Sequence, residues 1–187
     1  MKKLKIVNNS PVVLWFTVIC ALALLLNYIT SGVSNVLVFS VTRASFKNPL
    51  TYIRFFTHVF GHADMSHFLG NMTLFVVIGP MLEEKYGSRD MMIMMAITAF
   101  ATGVFHFIVF PGTYLLGASG IVFACILLAS FTKYRDGTIP ITFIIVFVVY
   151  IGQQVYDGVF LQDNVSNITH IIGGIVGAFF GSVLNKK

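Results

Sequence analysis

Long apolar runs, separated by short charged or turn-forming segments, make up most of the chain. A membrane-spanning helix needs about 20 mostly apolar residues, and the runs that approach this length predict six such helices. They cover residues 11–28, 64–82, 91–110, 118–132, 138–156 and 166–184. Asp64 is suited to cap the second helix, and Pro111-Gly112 is a strong signal for the end of the third. The pattern therefore predicts an all-α polytopic membrane protein, folded as one domain over residues 1–187 with no soluble domain.

The composition excludes an ordinary soluble protein. Hydrophobic residues make up 57% of the chain and charged residues 10%, whereas soluble domains average about 45–50% and about 25%. The mean hydropathy is +0.86. The net charge of +5 is thinly spread and forms no basic stripe with interleaved aromatic residues, which argues against a nucleic-acid partner. Cys20 and Cys125 lie in apolar runs, which favours small buried side chains over a disulfide.

The distribution of lysine and arginine predicts the orientation in the membrane. With the N-terminus in the cytoplasm, three of the 12 basic residues lie outside, namely Arg43, Lys47 and Arg54. Positive charge concentrates on the cytoplasmic side of membrane proteins, so both termini are expected there. The first run follows three lysines, as a signal peptide does, but it is longer than the roughly 7–15 apolar residues of a signal peptide. It therefore reads as an uncleaved helix.

Four polar residues inside the predicted helices share one depth. Counted back from the first charged residue at the cytoplasmic end, His67, Asn71, Ser119 and His170 lie 16, 12, 14 and 16 residues deep. At about 1.5 Å per residue, these depths agree within roughly 6 Å. Polar side chains inside a membrane span are costly and are functional candidates. The four residues are therefore candidates for one shared site.

Ser119 lies at the start of an unusually short span. The stretch from Ser119 to Thr132 reaches roughly 21 Å, against a hydrocarbon core of about 30 Å. Residues 111–117 are non-helical by composition, and irregular backbone at this depth survives only beside protein or water. Ser119 would then lie at a helix N-terminus, where N–H groups and the helix dipole favour a developing oxyanion. The alternative is that Ser119 is only a helix cap.

A face of small residues on the sixth span carries a histidine. Gly173 and Gly177 follow His170 at helical spacing and permit a close approach to Gly120 and Ala124 of the fourth span. His170 would then lie near Ser119 as its general base. No aspartate or glutamate lies within a predicted span, so the sequence favours a Ser-His dyad. His67 and Asn71 share a helix face and carry donors suited to an oxyanion hole. Each of these residues also has a purely structural alternative in helix packing.

The remaining histidines have other interpretations. His106 shares the depth of the four candidates but has no partner motif, which favours a structural role. His58 and His62 form an H-x-x-x-H-x-x-x-x-H pattern with His67, so a metal site has to be considered. No cluster of thiolates or carboxylates accompanies the pattern, and neither a metal nor a cofactor is therefore expected.

Taken in order, these motifs resemble those of the rhomboid intramembrane serine proteases. The matching pieces are T-H-V-F-G-H with His58 and His62, H-F-L-G-N from His67 to Asn71, G-A-S-G at residues 117–120, and H-I-I-G at residues 170–173 followed by Gly177. The resemblance covers about residues 11–184. It implies a rhomboid-like bundle of six helices, in the minimal bacterial form, in the inner (cytoplasmic) membrane.

The resemblance also implies an activity. It indicates a serine endopeptidase that needs no cofactor and hydrolyses peptide bonds in or near the transmembrane segments of membrane-protein substrates. Ser119 corresponds to the nucleophile and His170 to the general base. His67, Asn71 and the Ser119 backbone N–H correspond to the oxyanion hole, and Gly117 to the glycine that keeps this backbone accessible.

Further positions have supporting roles in the same resemblance. These are Phe123, Gly120, Gly173, Gly177, His58 and His62, with Arg54 and Glu83 as structural polar positions. The loop before the second helix resembles the membrane-embedded first loop of the family, and the fifth helix resembles its substrate gate. Three positions depart from the common pattern: Ile53 stands where tryptophan is common, Phe123 where tyrosine is frequent, and Thr169 where a small apolar residue is usual.

Two other function classes remain open at this stage. One is a catalytically silent rhomboid-like protein that binds membrane clients, although Ser119 and His170 are both present. The other is a small transporter or a haem- or metal-binding membrane protein. Against a transporter, the chain shows no internal repeat and no membrane-embedded carboxylate. The sequence names neither the substrate nor the oligomeric state.

Overall fold

A computed structural model describes residues 9–130 and 164–184, together with isolated helical positions between 141 and 152. In the two continuous ranges the α-helices are α1 (Pro11–Ile29), α2 (Val33–Leu37), α3 (Pro49–Thr57), α4 (Met65–Tyr86), α5 (Ser88–Val109), α6 (Ser119–Ser130) and α7 (Asn164–Leu184), and a 3-10 turn covers His58–Phe60. Four of these helices, α1, α4, α5 and α7, are long and apolar enough to cross a membrane. The protein is a polytopic bundle of membrane helices. The predicted span at residues 138–156 lies outside the described ranges, apart from isolated positions.

Two helix starts follow their sequence signals, and one helix end and one helix start do not. Pro11 opens α1, where its fixed φ suits the first helical position, and the Asp64 side chain caps α4 by accepting the N–H of His67 at 2.8 Å. The expected end of the second span at residue 82 was wrong, because α4 continues to Tyr86. Likewise α5 begins at Ser88 rather than at residue 91. The reversal between them takes place at Gly87, whose φ of +84° is accessible to glycine.

Glu83 explains why α4 runs past its first charge. Its side chain is buried, and its two carboxylate oxygens accept the N–H groups of Val12 and Val13, each at 3.0 Å. Ser88 Oγ donates to the same carboxylate at 2.7 Å. The first N–H groups of a helix have no partner inside the helix, and the helix dipole favours a negative charge there. Glu83 is therefore part of the bundle, as the cap of α1, and the helix continues past it to Tyr86.

The segment between α1 and α4 packs on the bundle through polar contacts. Arg54 of α3 is buried, and its Nε donates to the Leu37 carbonyl at 2.8 Å. Val41 and Leu115 exchange both backbone hydrogen bonds, each at 2.9 Å. This pair joins the first loop to the loop that precedes α6. The two loops are thus fixed to each other at one end of the bundle.

Helices α6 and α7 are in close backbone contact. Every residue of α6 from Gly120 to Leu128 is buried, which is typical of a helix that is apolar on all sides. A Cβ atom added at Gly173 would overlap the carbonyl of Gly120, and one added at Gly177 would overlap the carbonyl of Ala124. The small-residue faces predicted from the sequence are therefore the faces that meet.

Candidate active site

Ser119 is the first residue of α6 and is half-buried. Ala118 accepts the first hydrogen bond of the helix, from the N–H of Val122 at 3.0 Å. Gly117 has a φ of +128°, a conformation that side chains rarely adopt. Its N–H donates to the carbonyl of His58 at 3.0 Å. Ser119 thus follows a sharp, glycine-dependent entry into a helix whose first N–H groups have no intrahelical acceptor.

His67 and Asn71 of α4 both face this entry. A Cβ atom built on Gly117 would lie 2.8 Å from His67 Nε2 and 3.8 Å from Asn71 Nδ2. The two side chains are one helical turn apart, as the sequence spacing predicts. The absence of a side chain at residue 117 therefore leaves a small space next to both of them.

The two side chains present hydrogen-bond donors to this space. The Nδ1 atom of His67 accepts the N–H of Ala63 at 3.5 Å, so in the neutral ring the proton is on Nε2. Asn71 is buried, and its Nδ2 has no hydrogen-bond partner among the described residues. A buried unsatisfied donor costs about 1–3 kcal/mol. Donors held ready in this way are what an oxyanion hole requires.

His170 of α7 lies against the face of α6 that begins with Ser119. Its ring is stacked on Phe123, with 4.2 Å between the centroids and 4° between the planes. Phe123 is four residues after Ser119, one helical turn away. The residue before the histidine, Thr169, has its methyl group 3.6 Å from a Cβ built on Gly120. The fold thus brings α7 to the Ser119 end of α6, and the stacking fixes the plane of the imidazole.

Comparison with known protein families identifies the family of this chain. The Rhomboid domain family model matches residues 49–187. The chain belongs to the rhomboid family.

Individual relatives are distant. Rhomboid-related protein 1 of Caenorhabditis elegans is 28% identical over 142 residues, which cover 70% of this chain and 39% of that protein. The rhomboid protease GlpG of Haemophilus influenzae is 27% identical over 139 residues, 71% of this chain and 70% of that protein. GlpG of Salmonella paratyphi A is 29% identical over 128 residues, 66% of this chain and 45% of that protein. The chain therefore aligns with less than half the length of two of these three relatives.

In this rhomboid chain, His58 contacts helices α3 and α5, and His62 contacts the backbone of the 3-10 turn before it. His58 Nδ1 lies 3.1 Å from the Arg54 carbonyl and its Nε2 lies 3.3 Å from Thr102 Oγ1. His62 Nδ1 lies 3.1 Å from the Phe60 carbonyl. Burial lowers the pKa of each imidazole to about 4. Both rings are therefore neutral at neutral pH and support the loop beside His67.

A metal site gains no support from the geometry. In the part of the chain that the structure describes, no group of three or more His, Cys, Asp or Glu side chains is arranged to hold an ion. The rings of His62 and His67 are 5.1 Å apart and T-shaped, and Nδ1 of His62 is already engaged with a backbone carbonyl. The described residues thus bring two imidazoles together here, and Nε2 of His62 is buried without a hydrogen-bond partner among them.

The sequence patterns did not identify Thr102 or Thr113 as residues near the candidate site. Thr102 is buried in α5, where its hydroxyl meets His58 and its methyl group lies 3.3 Å from a Cβ built on Gly120. The backbone carbonyl of Thr113 is 3.2 Å from His106 Nε2. The sequence feature that could have identified Thr102 is its spacing of four residues from Thr98, which puts two hydroxyl groups on one face of an apolar helix. Thr113 gave no signal, because its contact is made by the backbone.

Proposed function

We propose that this rhomboid-family protein is a serine endopeptidase that hydrolyses peptide bonds in or near the transmembrane segments of other membrane proteins. The observation that carries the proposal is the convergence of two hydrogen-bond donors, from His67 and Asn71, on the turn at Gly117, directly before Ser119. Three separate elements, α4, α6 and α7, supply the side chains that acyl transfer needs. Packing alone gives no reason for a buried Asn71 donor beside an empty glycine position.

Ser119 and His170 act as the nucleophile and the general base. The imidazole takes the proton of the Ser119 hydroxyl as Oγ attacks the scissile carbonyl, and it then protonates the leaving amine. Water then hydrolyses the acyl-enzyme: His170 takes a proton from the water as its oxygen attacks the acyl carbonyl, and returns the proton to Ser119 Oγ as that oxygen leaves. Stacking on Phe123 holds the plane of the imidazole through both proton transfers. A phenyl ring does this without donating a hydrogen bond.

The oxyanion of the tetrahedral intermediate is held by three donors: Nε2 of His67, Nδ2 of Asn71 and the backbone N–H of Ser119. Donors positioned in advance stabilise this charge strongly, and the loss of one such donor typically lowers kcat by about 10²–10³-fold. Gly117 contributes by having no side chain, because a Cβ atom there would fill the space beside His67 Nε2.

The position of the site defines the class of substrate. Residues 111–114 are exposed while Ser119 is half-buried, so water reaches the serine from the loop side. A substrate helix has its carbonyl groups in hydrogen bonds, and it must unwind locally before attack. We therefore expect membrane-inserted substrates with small or helix-breaking residues at the cut. From the excess of positive charge we expect both termini in the cytoplasm, and a bacterial inner membrane is the expected location.

The test is cleavage of several model transmembrane substrates in liposomes. Wild type is compared with Ser119→Ala and His170→Ala, and with Ser130→Ala as the matched control. Ser130 ends the same helix, and its hydroxyl only donates to the Ile126 carbonyl at 3.0 Å. We expect the first two variants to lose all measurable cleavage and the control to keep it.

Two outcomes would contradict the proposal. Cleavage that survives Ser119→Ala would exclude the serine mechanism. A folded wild type that cleaves no substrate and does not react with a fluorophosphonate would exclude the protease and favour a catalytically silent protein that binds membrane clients.

A further inference from the structure

His106 is a buried imidazole that the proposed reaction does not use. It lies near the C-terminal end of α5 and is 1% exposed. Its Nε2 is 3.2 Å from the backbone carbonyl of Thr113. A carbonyl oxygen only accepts, so Nε2 carries the proton of the neutral ring. The other nitrogen, Nδ1, is buried and has no hydrogen-bond partner within the described ranges. His106 therefore directs its one donor to the loop before α6.

This loop carries Gly117 and has few connections to the bundle. At its far end, Leu115 pairs with Val41 and the N–H of Gly117 donates to His58. At its near end, residues 111–114 are exposed, and the N–H of Thr113 makes only a long bond, 3.4 Å, to the Phe110 carbonyl. The hydrogen bond from His106 to the Thr113 carbonyl thus connects the exposed half of the loop to α5.

We propose that His106 is a positioning residue for the oxyanion hole. By fixing Thr113 it sets the path of the chain to Gly117, and so the register of the Ser119 N–H against His67 and Asn71. It touches no reacting atom. The inference rests on the proposed function. It matters for rate because a misplacement of about 1 Å at a reacting centre costs about 10²-fold.

Two substitutions at His106 distinguish the effect of its hydrogen bond from the effect of its side-chain volume. His106→Gln keeps an N–H donor that reaches the Thr113 carbonyl, whereas His106→Leu fills the site without a donor. Thr98→Val is the matched control, because Thr98 is buried on the same helix, its hydroxyl donates to the Met94 carbonyl, and it lies more than three turns from the loop. We expect His106→Leu to lower kcat by about 10²-fold with KM unchanged. The Gln variant and the control should stay near wild type.

Hydrogen exchange provides a readout that does not need activity. We expect faster amide exchange in residues 110–118 of His106→Leu and wild-type exchange in the Gln variant and the control. If His106→Leu fails to fold, His106→Met takes its place, since a flexible side chain fills irregular space. If the wild type cleaves no substrate, the proposed function is wrong. The hydrogen-exchange comparison then still tests whether His106 positions residues 110–118.

Three results would overturn the role of His106. These are a wild-type kcat in His106→Leu, unchanged exchange of residues 110–118 in that variant, and an equal loss in His106→Gln. The last result would mean that the shape of the imidazole matters and its donor does not.

Discussion

The two sides of the candidate site are built by different forces. On one side, α7 approaches α6 through glycines, with backbone against backbone at Gly173 and Gly177. On the other side, a hydrogen bond from the Gly117 N–H to the His58 carbonyl ties the loop before Ser119 to the 3-10 turn that precedes α4, the helix of His67 and Asn71. The proposed nucleophile and base thus depend on close packing, and the loop beside the proposed oxyanion donors depends on polar contacts. Substitutions on the two sides of the site should therefore affect stability and cleavage differently.

The largest effect is expected from crowding the helix contact. Gly173→Ala puts a Cβ atom onto the Gly120 backbone carbonyl, which cannot rotate away as a side chain can. We expect destabilisation beyond the roughly 1–3 kcal/mol usual for overpacking, with loss of both folding yield and cleavage. Thermal unfolding in detergent, measured alongside cleavage, checks this.

Gly174→Ala is the matched control for that prediction. Its Cβ atom would meet the side chain of Leu127 at 3.7 Å, an ordinary contact. Equal stability of the two variants would show that α6 and α7 are not held by close packing at Gly173.

A smaller and more selective effect is expected at Gly117. Gly117→Ala puts a methyl group beside His67 Nε2 and strains a backbone with a φ of +128°. Because the oxyanion space is then filled, we expect kcat to fall by about 10²–10³-fold while the bundle stays folded. Gly112→Ala, in the same loop but with open space around it, should keep wild-type kcat. If the two variants cleave alike, the space at Gly117 is not the oxyanion hole.

The smallest effect on folding is expected at Asn71. Its Nδ2 is buried without a partner in the described ranges, so Asn71→Ala should lower kcat by about 10²-fold and should not reduce the unfolding free energy by more than about 1 kcal/mol. For Asn35→Ala we expect a loss of stability instead. Asn35 Nδ2 donates to the His62 carbonyl at 2.9 Å, and its loss should cost about 1–3 kcal/mol of stability. A stability loss in Asn71→Ala as large as that in Asn35→Ala would assign Asn71 to structure.

Part of the site could be predicted from the sequence. The small-residue pattern after His170 predicted which faces of α6 and α7 meet, because only glycine and alanine allow backbones to approach so closely. The start of α6 at Ser119 followed from the turn-forming residues before it. The end of α4 was predicted wrongly, since Glu83 was taken as a boundary when it is a buried cap for α1. A charge in the sequence does not show whether a distant helix end will neutralise it.

The class of the protein follows from the sequence alone, because the apolar runs are long enough to span a bilayer and the motifs occur in the order found in the rhomboid family. These are properties of segments and can be counted along the chain. The tertiary structure decided which polar groups meet. It placed His67 and Asn71 at Gly117, and it directed His106 to Thr113. Which side chains lie next to each other depends on backbone conformation and on contacts between segments distant in sequence. Counting residues along one helix gives neither of these.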